Sequence, residues 1–429
     1  MTNSEETENA PIAPPRGEGA SWLRCDACGA RRGLEERAPA CVCGGLYELI
    51  PARARALEPA ELAQRAGRLH PPAAQSGVWR YAEWILPDLS PDERLSLGEG
   101  NTPLLPVRAL ADYAGLDQLR FKHEGWNPTG SFKDRGMCVA VAWAKRLGAR
   151  RVACASTGNT AASLAAYAAA AGLQAVVLAP AAHTALGKLA QARAHGARTL
   201  LLEGDFDQGM ELVRERAQEL SLYLVNSINA LRIAGQRSIA YELAQQLDWR
   251  APDWLVLPAG NLGNTSAIGA GLLELVERGL LERVPRLAAV QAAGANPFAR
   301  AFRRDFESMQ PLTAETRASA IRIGAPVSWQ RAARVIRATG GVVTEVDDAD
   351  IFAAKRALDA AGIGAEPASC ASLAGARRLV REGVIGRQDD VVAVLTGHLL
   401  KDVEALGESE QECRLRPDPQ ALRAALDSE

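Results

Sequence analysis

Asn127-Pro-Thr-Gly-Ser-Phe-Lys-Asp-Arg-Gly136 is the stretch around which this 429-residue chain is organised. A single lysine, Lys133, follows a turn punctuated by proline and glycine and opens an alanine-rich run with helical periodicity. Burial at a helix start disfavours the charged form of a lysine, so that its free amine can attack a carbonyl group. Lys133 is therefore the candidate nucleophile. The alternative is that Lys133 and Asp134 merely begin a solvated helix.

The surrounding blocks resemble one family of enzymes. The stretch above, preceded by His123-Glu124-Gly125, is similar to the pyridoxal 5'-phosphate (PLP) attachment site of the threonine synthases, which are fold type II PLP enzymes. The resemblance continues in order through Glu99-Gly-Asn-Thr-Pro-Leu104, Ser156-Thr-Gly-Asn-Thr160, Gly260-Asn-Leu-Gly-Asn264, Glu366-Pro-Ala-Ser369 and Leu395-Thr-Gly-His398. It implies a PLP cofactor held by Lys133 as a Schiff base. It also implies a fold like that of the tryptophan synthase β subunit, with two doubly wound parallel-sheet domains.

The pattern of apolar runs independently predicts an α/β fold. From Leu119 to about residue 400, short β-favouring runs alternate with alanine-rich helical runs, as in parallel sheets with right-handed crossovers. The candidate strands lie near Val152, Val176, Leu200, Leu222, Leu255, Leu287, Val342 and Val392. Their number indicates two sheets. Ligands of such sheets bind beyond the carboxyl ends of the strands, where several of the blocks above are found.

Composition and motif positions together suggest the following organisation. We expect a disordered tail (1–20), a zinc-ribbon-like segment (21–50), a helical arm (51–97), a large PLP-binding domain (98–135 and 236–405), a small α/β domain (136–235) and a C-terminal tail (406–429). The arm carries an aromatic cluster of Trp79, Tyr81 and Trp84, which we expect to pack on the main body.

Two cysteine pairs near the N-terminus form a candidate metal site. Cys25 and Cys28 are spaced C-x-x-C, Cys41 and Cys43 are spaced C-x-C, and a glycine follows each pair. Four thiolates suit tetrahedral zinc, and four protein ligands would make the site structural rather than catalytic. The tighter second pair leaves open that the segment binds zinc weakly or is a relic.

Two helix starts are candidates for binding the cofactor and the substrate carboxylate. The turn Gly260, Asn261, Leu262, Gly263, Asn264 opens a helix, and its backbone N–H groups would form a nest for the PLP phosphate; the alternative is a tight turn without a ligand. Ser156-Thr-Gly-Asn-Thr160 offers hydroxyl, amide and backbone donors, an N-cap being the compatible alternative. The resemblance assigns Asn159 to the 3-oxygen of the PLP ring, Thr396 to the ring nitrogen, and Ser156, Thr157 and Thr160 to the substrate carboxylate.

A further arginine decides the expected substrate. Asn226-Ser-Ile-Asn-Ala-Leu-Arg232 combines amide and hydroxyl donors with a guanidinium that can grip a phosphate bidentately; the alternative is a surface arginine. The segment resembles the phosphate site of the threonine synthases, with Asn226, Ser227 and Arg232 in place and Ala230 where the family has proline. A second similar block, from Ala320 to Trp329, contributes Ser328 but has Ala325 where asparagine is usual.

The expected activity is the conversion of O-phospho-L-homoserine and water to L-threonine and phosphate. Two enzyme alternatives remain: a lyase resembling serine/threonine dehydratases, and a β- or γ-replacement enzyme for a phosphorylated amino acid. A catalytically silent binding protein is a third alternative, against which the intact Lys133 argues.

The partners follow from charge and hydropathy. A net charge of -2 provides no basic field for nucleic acid, and no apolar run reaches the roughly 18 residues of a membrane span. Because the N-terminus has no signal-peptide pattern, we expect a cytoplasmic protein. We further expect a phosphorylated amino acid as the small-molecule partner and a homodimeric assembly.

Overall fold

A computed structural model of the chain describes residues 19–38, 40–52, 56–66, 75–181, 189–203, 212–213, 216–217, 219–406 and 417–426. Its strands, β1 to β13, are Trp22–Cys25, Arg31–Gly33, Tyr47–Ile50, Leu104–Pro106, Gln118–His123, Arg151–Ala155, Gln174–Pro180, Arg198–Leu202, Leu222–Leu224, Trp254–Pro258, Arg286–Ala292, Val342–Val346 and Asp390–Leu395. Its α-helices, α1 to α14, are Pro59–Ala66, Ala82–Ile85, Arg108–Ala114, Lys133–Arg146, Asn159–Ala171, Ala190–Ala194, Ala230–Gln236, Ser238–Gln246, Gly263–Glu277, Pro297–Phe302, Trp329–Ala338, Asp348–Ala360, Pro367–Arg381 and Pro419–Leu426. The N-terminal tail, except for its last two residues, and much of the C-terminal tail lie outside the described residues.

Two parallel sheets form the body of the molecule, as the sequence predicts. The larger has the order β12-β11-β10-β13-β5-β4, in which β4 is antiparallel to β5 and the other neighbours are parallel. The smaller has the order β8-β7-β6-β9 and is parallel throughout. Every candidate strand coincides with an observed one. The central strands are covered on both faces and require near-continuous apolar runs, whereas β8, at the edge of the smaller sheet, is largely exposed. The domain boundaries drawn from the sequence remain a prediction.

The larger sheet lies between two apolar clusters. One face packs against α3, α12 and α13 through a cluster that includes Leu110, Trp254 and Leu358. The opposite cluster is continuous with the helices that pack on the smaller sheet and with the N-terminal strands. None of the described helices has the length and apolar character needed to cross a bilayer.

Helices α4 and α7 cross unusually closely, which brings Lys133 near Arg232. A Cβ atom placed on Gly235 would lie 2.1 Å from the carbonyl oxygen of Arg135, and one placed on Gly136 would lie 2.4 Å from that of Arg232. Side chains larger than hydrogen are therefore excluded from both positions of the crossing. The glycine that ends the lysine motif thus has a packing role.

The N-terminal segment folds into a three-stranded antiparallel sheet of order β2-β1-β3. This N-terminal sheet is attached to the body at several points. The indole of Trp143 on α4 donates a 3.0 Å hydrogen bond to the carbonyl of Leu34, and Arg237 pairs with Glu48 at 2.7 Å. It therefore belongs to the same packed structure as the parallel sheets.

The segment 51–97 is less helical than predicted. Among its described residues only α1 and the one-turn α2 are α-helical. Pro87 and Pro91 follow α2, and proline cannot continue a helix because it lacks the N–H donor. The aromatic cluster does pack on the body, since its members Trp79, Tyr81 and Trp84 are fully buried.

Candidate active site

The Lys133 loop is bound to the end of strand β13. The N–H of Phe132 donates to the carbonyl of Thr396 at 3.0 Å, and the N–H of His398 donates to Gly130 at 2.9 Å. Gly130 has a φ of +85°, a left-handed conformation that favours glycine. Lys133 is the first residue of α4 and is partly exposed. Its amine therefore starts from a rigid backbone and is not wholly buried.

The electrostatic environment favours the free amine of Lys133. Burial is the largest cause, followed by the positive charge of Arg232, and together they lower the pKa of Lys133 to about 7; Glu366 opposes the shift. A lysine ordinarily titrates near 10.4, so its neutral form would be scarce at neutral pH. Here a substantial fraction is available as a nucleophile or base.

Asp134 holds the turn before Lys133. Its carboxylate accepts hydrogen bonds from the N–H of Thr129 at 2.7 Å and from the Thr129 hydroxyl at 2.6 Å. Burial raises the pKa of Asp134 to about 6 despite these bonds. The solvated helix start considered above is thus excluded for Asp134, which is fully buried.

A buried charge cluster anchors the same helix one residue further on. Arg135 pairs with Glu124 at 2.6 Å and with Glu242 at 2.8 Å, and Glu242 also pairs with Lys122 at 2.5 Å. All four side chains are inaccessible to solvent or nearly so. Two cations offset two anions, and breaking a buried pair of this kind is strongly destabilising. The cluster ties α4 to β5 and α8.

The β6–α5 loop carries Ser156, Thr157, Asn159 and Thr160, and Asn159 is the first residue of α5. Its amide nitrogen lies 3.0 Å and 3.1 Å from the carboxylate oxygens of Glu366. Ser156 accepts a hydrogen bond from the N–H of Gly158 at 3.2 Å. These residues are all partly exposed. The loop is therefore accessible, and Asn159 links it to Glu366, whose charge acts on Lys133.

The Gly260 turn begins α9 in a left-handed conformation at Leu262, with φ +65°. The amide of Asn264 donates to the carbonyl of Pro258 at 3.0 Å, which shapes the turn. A Cβ atom on Gly260 would lie 3.1 Å from Ile321, so close packing favours glycine there. The backbone N–H groups at the start of α9 remain a suitable anion nest.

Asn261 links this turn to two other segments. Its amide nitrogen donates to the Ser227 hydroxyl at 2.6 Å, and its amide oxygen accepts from the N–H of Val327 at 2.8 Å. Asn226 accepts at 3.3 Å from the N–H of Ala155, at the end of β6. The structure thus joins Asn261, which follows β10 of the larger sheet, to Ser227, which follows β9 of the smaller one.

Arg232 is buried, at 1% exposure, without a carboxylate partner among the described residues. Its Nη1 donates to the carbonyl of Val225 at 2.7 Å and its Nη2 to the Thr160 hydroxyl at 3.4 Å, while Nε is buried with no partner. Burial lowers the pKa of Arg232 to about 10. The surface-arginine alternative is wrong, and an anion is the natural complement of this cation.

Several hydroxyls belong to the same region. Those of Thr396 and Ser369 lie 2.9 Å apart, and the N–H of Gly397 donates to Ser369 at 2.9 Å. The hydroxyls of Ser131 and Ser328 are buried without a partner among the described residues. Buried polar atoms are normally satisfied, so these two are candidates for contacts with a bound molecule.

The four N-terminal cysteines converge. The sulfurs of Cys25, Cys28, Cys41 and Cys43 all lie within 4.8 Å of one another. Thiolates at the usual Zn–S distance of about 2.3 Å around a tetrahedron are about 3.8 Å apart, so the four groups could hold a metal with little movement. We call this cluster the cysteine knuckle.

Sequence reasoning assigned no role to Glu366, Ser369 or Asp134. Glu366 and Ser369 lie in a block that contributed only to the resemblance, and nothing local shows that they meet Asn159 and Thr396. A carboxylate just before a helix was the available signal for Glu366, but it equally suggests a helix cap.

Comparisons with known proteins identify the family of the chain. The family described as pyridoxal-phosphate dependent enzyme matches residues 95–397. Threonine synthase from Methanocaldococcus jannaschii is 42% identical over 406 residues, which cover 94% of this chain and 98% of that protein. Threonine synthase from Methanosarcina acetivorans is 44% identical over 387 residues, covering 90% and 93%.

A solved structure shows a similarity at the level of the fold. The solved structure of threonine synthase from Escherichia coli covers 94% of both chains with a TM-score of 0.69, and at 18% identity this likeness concerns the fold alone. The extent and identity of the sequence matches decide the family. The chain belongs to the threonine synthases, within the fold type II pyridoxal-phosphate-dependent enzymes.

Proposed function

We propose that the chain uses PLP to convert O-phospho-L-homoserine and water to L-threonine and phosphate. The observation that supports this substrate is the environment of Arg232. Its guanidinium is buried, and its partners within the described residues are neutral. Burying a cation without an anion is costly, and a substrate phosphate would supply the missing charge. Asn226, Ser227 and Ser328 would complete the phosphate site.

The residues present fit PLP. The amine of Lys133, largely neutral above pH 7, suits covalent attachment of the cofactor. The nest from Gly260 to Asn264 suits its phosphate, while Asn159 and Thr396 would contact the ring oxygen and ring nitrogen. Bound PLP supplies an electron sink for the substrate Cα. A neutral hydroxyl at the ring nitrogen favours elimination and replacement over transamination.

The chain's own groups would then act as follows. Ser156, Thr157 and Thr160 would bind the substrate carboxylate and orient the Cα–H bond. Lys133 would take the proton from Cα and transfer protons at Cβ, which requires a pKa near the working pH. Arg232 would stabilise the phosphate as it leaves Cγ, before water adds at Cβ.

The cysteine knuckle is proposed to bind one structural zinc ion. The convergence of the four sulfurs supports it, and the glycines after each pair allow tight turns, since Gly29 and Gly44 have φ of +74° and +84°. Four thiolates would leave the metal no open position for catalysis.

We propose a cytoplasmic homodimer. Thiolate metal sites persist in reducing compartments, which supports the cytoplasm. Trp126, Leu400 and Val403 are exposed by 60% or more, and exposed large apolar side chains are common at interfaces between copies. Light scattering coupled to gel filtration would give the assembly state.

The decisive experiment is turnover of O-phospho-L-homoserine by the holoenzyme, with separate assays for phosphate, threonine and 2-oxobutyrate. The proposal requires phosphate and threonine in equal amounts. Phosphate with 2-oxobutyrate would identify a replacement-deficient lyase, and deamination of serine or threonine without turnover of the phosphorylated substrate would favour the dehydratase-like alternative.

A further inference from the structure

The N-terminal sheet contacts the two helices associated with the proposed phosphate site. Strand β3 packs on α7, which carries Arg232, and Glu48 pairs with Arg237 just after that helix. The cysteine knuckle contacts α11, whose N-cap is Ser328, through the ion pair between Asp26 and Arg331 at 2.7 Å. We propose, on the basis of the function proposed above, that Asp26 is a positioning residue through which the knuckle sets the geometry of the phosphate site.

Asp26 connects the knuckle to α11 with both carboxylate oxygens. It lies between the candidate ligands Cys25 and Cys28. Its Oδ1 accepts from the N–H of Leu46 at 2.9 Å, next to the second cysteine pair, and its Oδ2 accepts from Nε of Arg331. A shift of either cysteine turn therefore moves the carboxylate that holds Arg331.

Burial strengthens the attraction between Asp26 and Arg331. The Asp26 and Arg331 side chains are 4% and 8% exposed, so solvent and salt screen their attraction little. A second arginine, Arg334, approaches the same carboxylate at 3.4 Å but is 53% exposed. Exposed ion pairs contribute little to stability, so Arg334 serves as a control for Arg331.

A chain of hydrogen bonds continues from α11 to the substrate groups. Val327, two residues before α11, donates its N–H to Asn261, and Asn261 donates to the hydroxyl of Ser227. Ser328 lies between Val327 and the helix, with its hydroxyl buried and unpaired in the described part of the chain. The position of the α11 N-terminus therefore affects Ser227 and Ser328 together.

The two halves of α11 have different surroundings. The far half of α11 is fixed against α9, where a Cβ on Gly269 would lie 2.7 Å from Val335. The near half borders a cavity of about 530 Å³ between the knuckle and the body, lined among others by Leu46, Met309 and Trp329. Asp26 and Arg331 both line this cavity, so their ion pair is a contact that holds the segment across it.

The test compares Asp26→Asn, Arg331→Met and the double variant with Arg334→Ala as the matched control. Asparagine keeps an oxygen for Leu46 but removes the charge, and Arg331→Met leaves the knuckle residues unchanged. We expect each single variant to raise the KM for O-phospho-L-homoserine by about 5-fold or more, with PLP affinity and metal content unchanged and kcat reduced less. The KM of the double variant should be no higher than that of either single variant, because both single changes remove the same contact.

Binding of inorganic phosphate to the holoenzyme, measured by calorimetry, provides a readout that does not depend on turnover. Its affinity should fall in parallel with the rise in KM and stay at the wild-type value in Arg334→Ala. Unchanged phosphate affinity in both Asp26→Asn and Arg331→Met would overturn the inference, as would additive effects in the double variant. Absence of threonine formation by the wild type would instead refute the proposed function.

Discussion

Replacing Arg232 by methionine should reduce activity severely without destabilising the protein. Methionine fills much of the same volume and removes the buried charge. Arg232 makes one short hydrogen bond, to Val225, and one long one, to Thr160, so few native contacts are lost. No carboxylate in the described part of the chain would be left unpaired.

The size of each effect follows from these contacts. Losing a charge-assisted bidentate grip on the substrate phosphate should cost about 2–4 kcal/mol, or roughly 30- to 1000-fold in kcat/KM. Losing the bond to Val225 should cost about 1 kcal/mol of unfolding free energy. Relief from burying an unpaired charge offsets that cost, so the unfolding free energy should stay within about 1 kcal/mol of the wild type or increase.

Arg135→Met is the contrasting variant, because it removes an equally buried arginine that does have partners. Glu124 and Glu242 would be left without their main cation, so the free energy of unfolding should fall by about 3–5 kcal/mol. Denaturant unfolding and steady-state kinetics on O-phospho-L-homoserine measure both variants. Normal turnover by Arg232→Met, or a loss of stability as large as that of Arg135→Met, would contradict the proposed phosphate role.

The remaining predictions concern the lysine and the knuckle. Lys133→Ala should abolish both turnover and the covalent cofactor adduct that survives borohydride reduction, and a retained adduct would show that another amine holds PLP. In the wild-type apoprotein, the rate of PLP attachment should rise with pH through about 7, because the amine is protonated below its lowered pKa. In Arg232→Met this midpoint should move upward, since the arginine charge is one cause of the lowered pKa; an unchanged midpoint would mean that burial alone is responsible. Metal analysis of protein prepared without chelators should find about one zinc per chain, and Cys25→Ser should lose it while PLP stays bound.

The sequence alone was sufficient to predict the two sheets and the position of the motifs along the chain. Strands buried on both faces need unbroken apolar runs, so the runs near Val152 and Leu255 identified members of each sheet. Because ligands of parallel sheets bind beyond the carboxyl ends of the strands, the positions of Ser156 and Gly260 just after two such runs made both candidates for ligand binding. The motif around Lys133 was readable because its residues are contiguous. Between residues 51 and 97, the described residues are less helical than the sequence predicts, and prolines follow the short helix α2.

Only the tertiary structure decided which distant groups meet. Asn159 and Glu366 are separated by 207 residues, and Asp26 and Arg331 by 305, so no local periodicity records either contact. The lowered pKa of Lys133 also depends on the tertiary structure, because its causes are burial by other segments and the charge of Arg232 across a helix crossing. The spacing of residues along the chain determines local motifs, which can be recognised in the sequence. Desolvation and charge pairing depend on distances that exist only after the chain has folded.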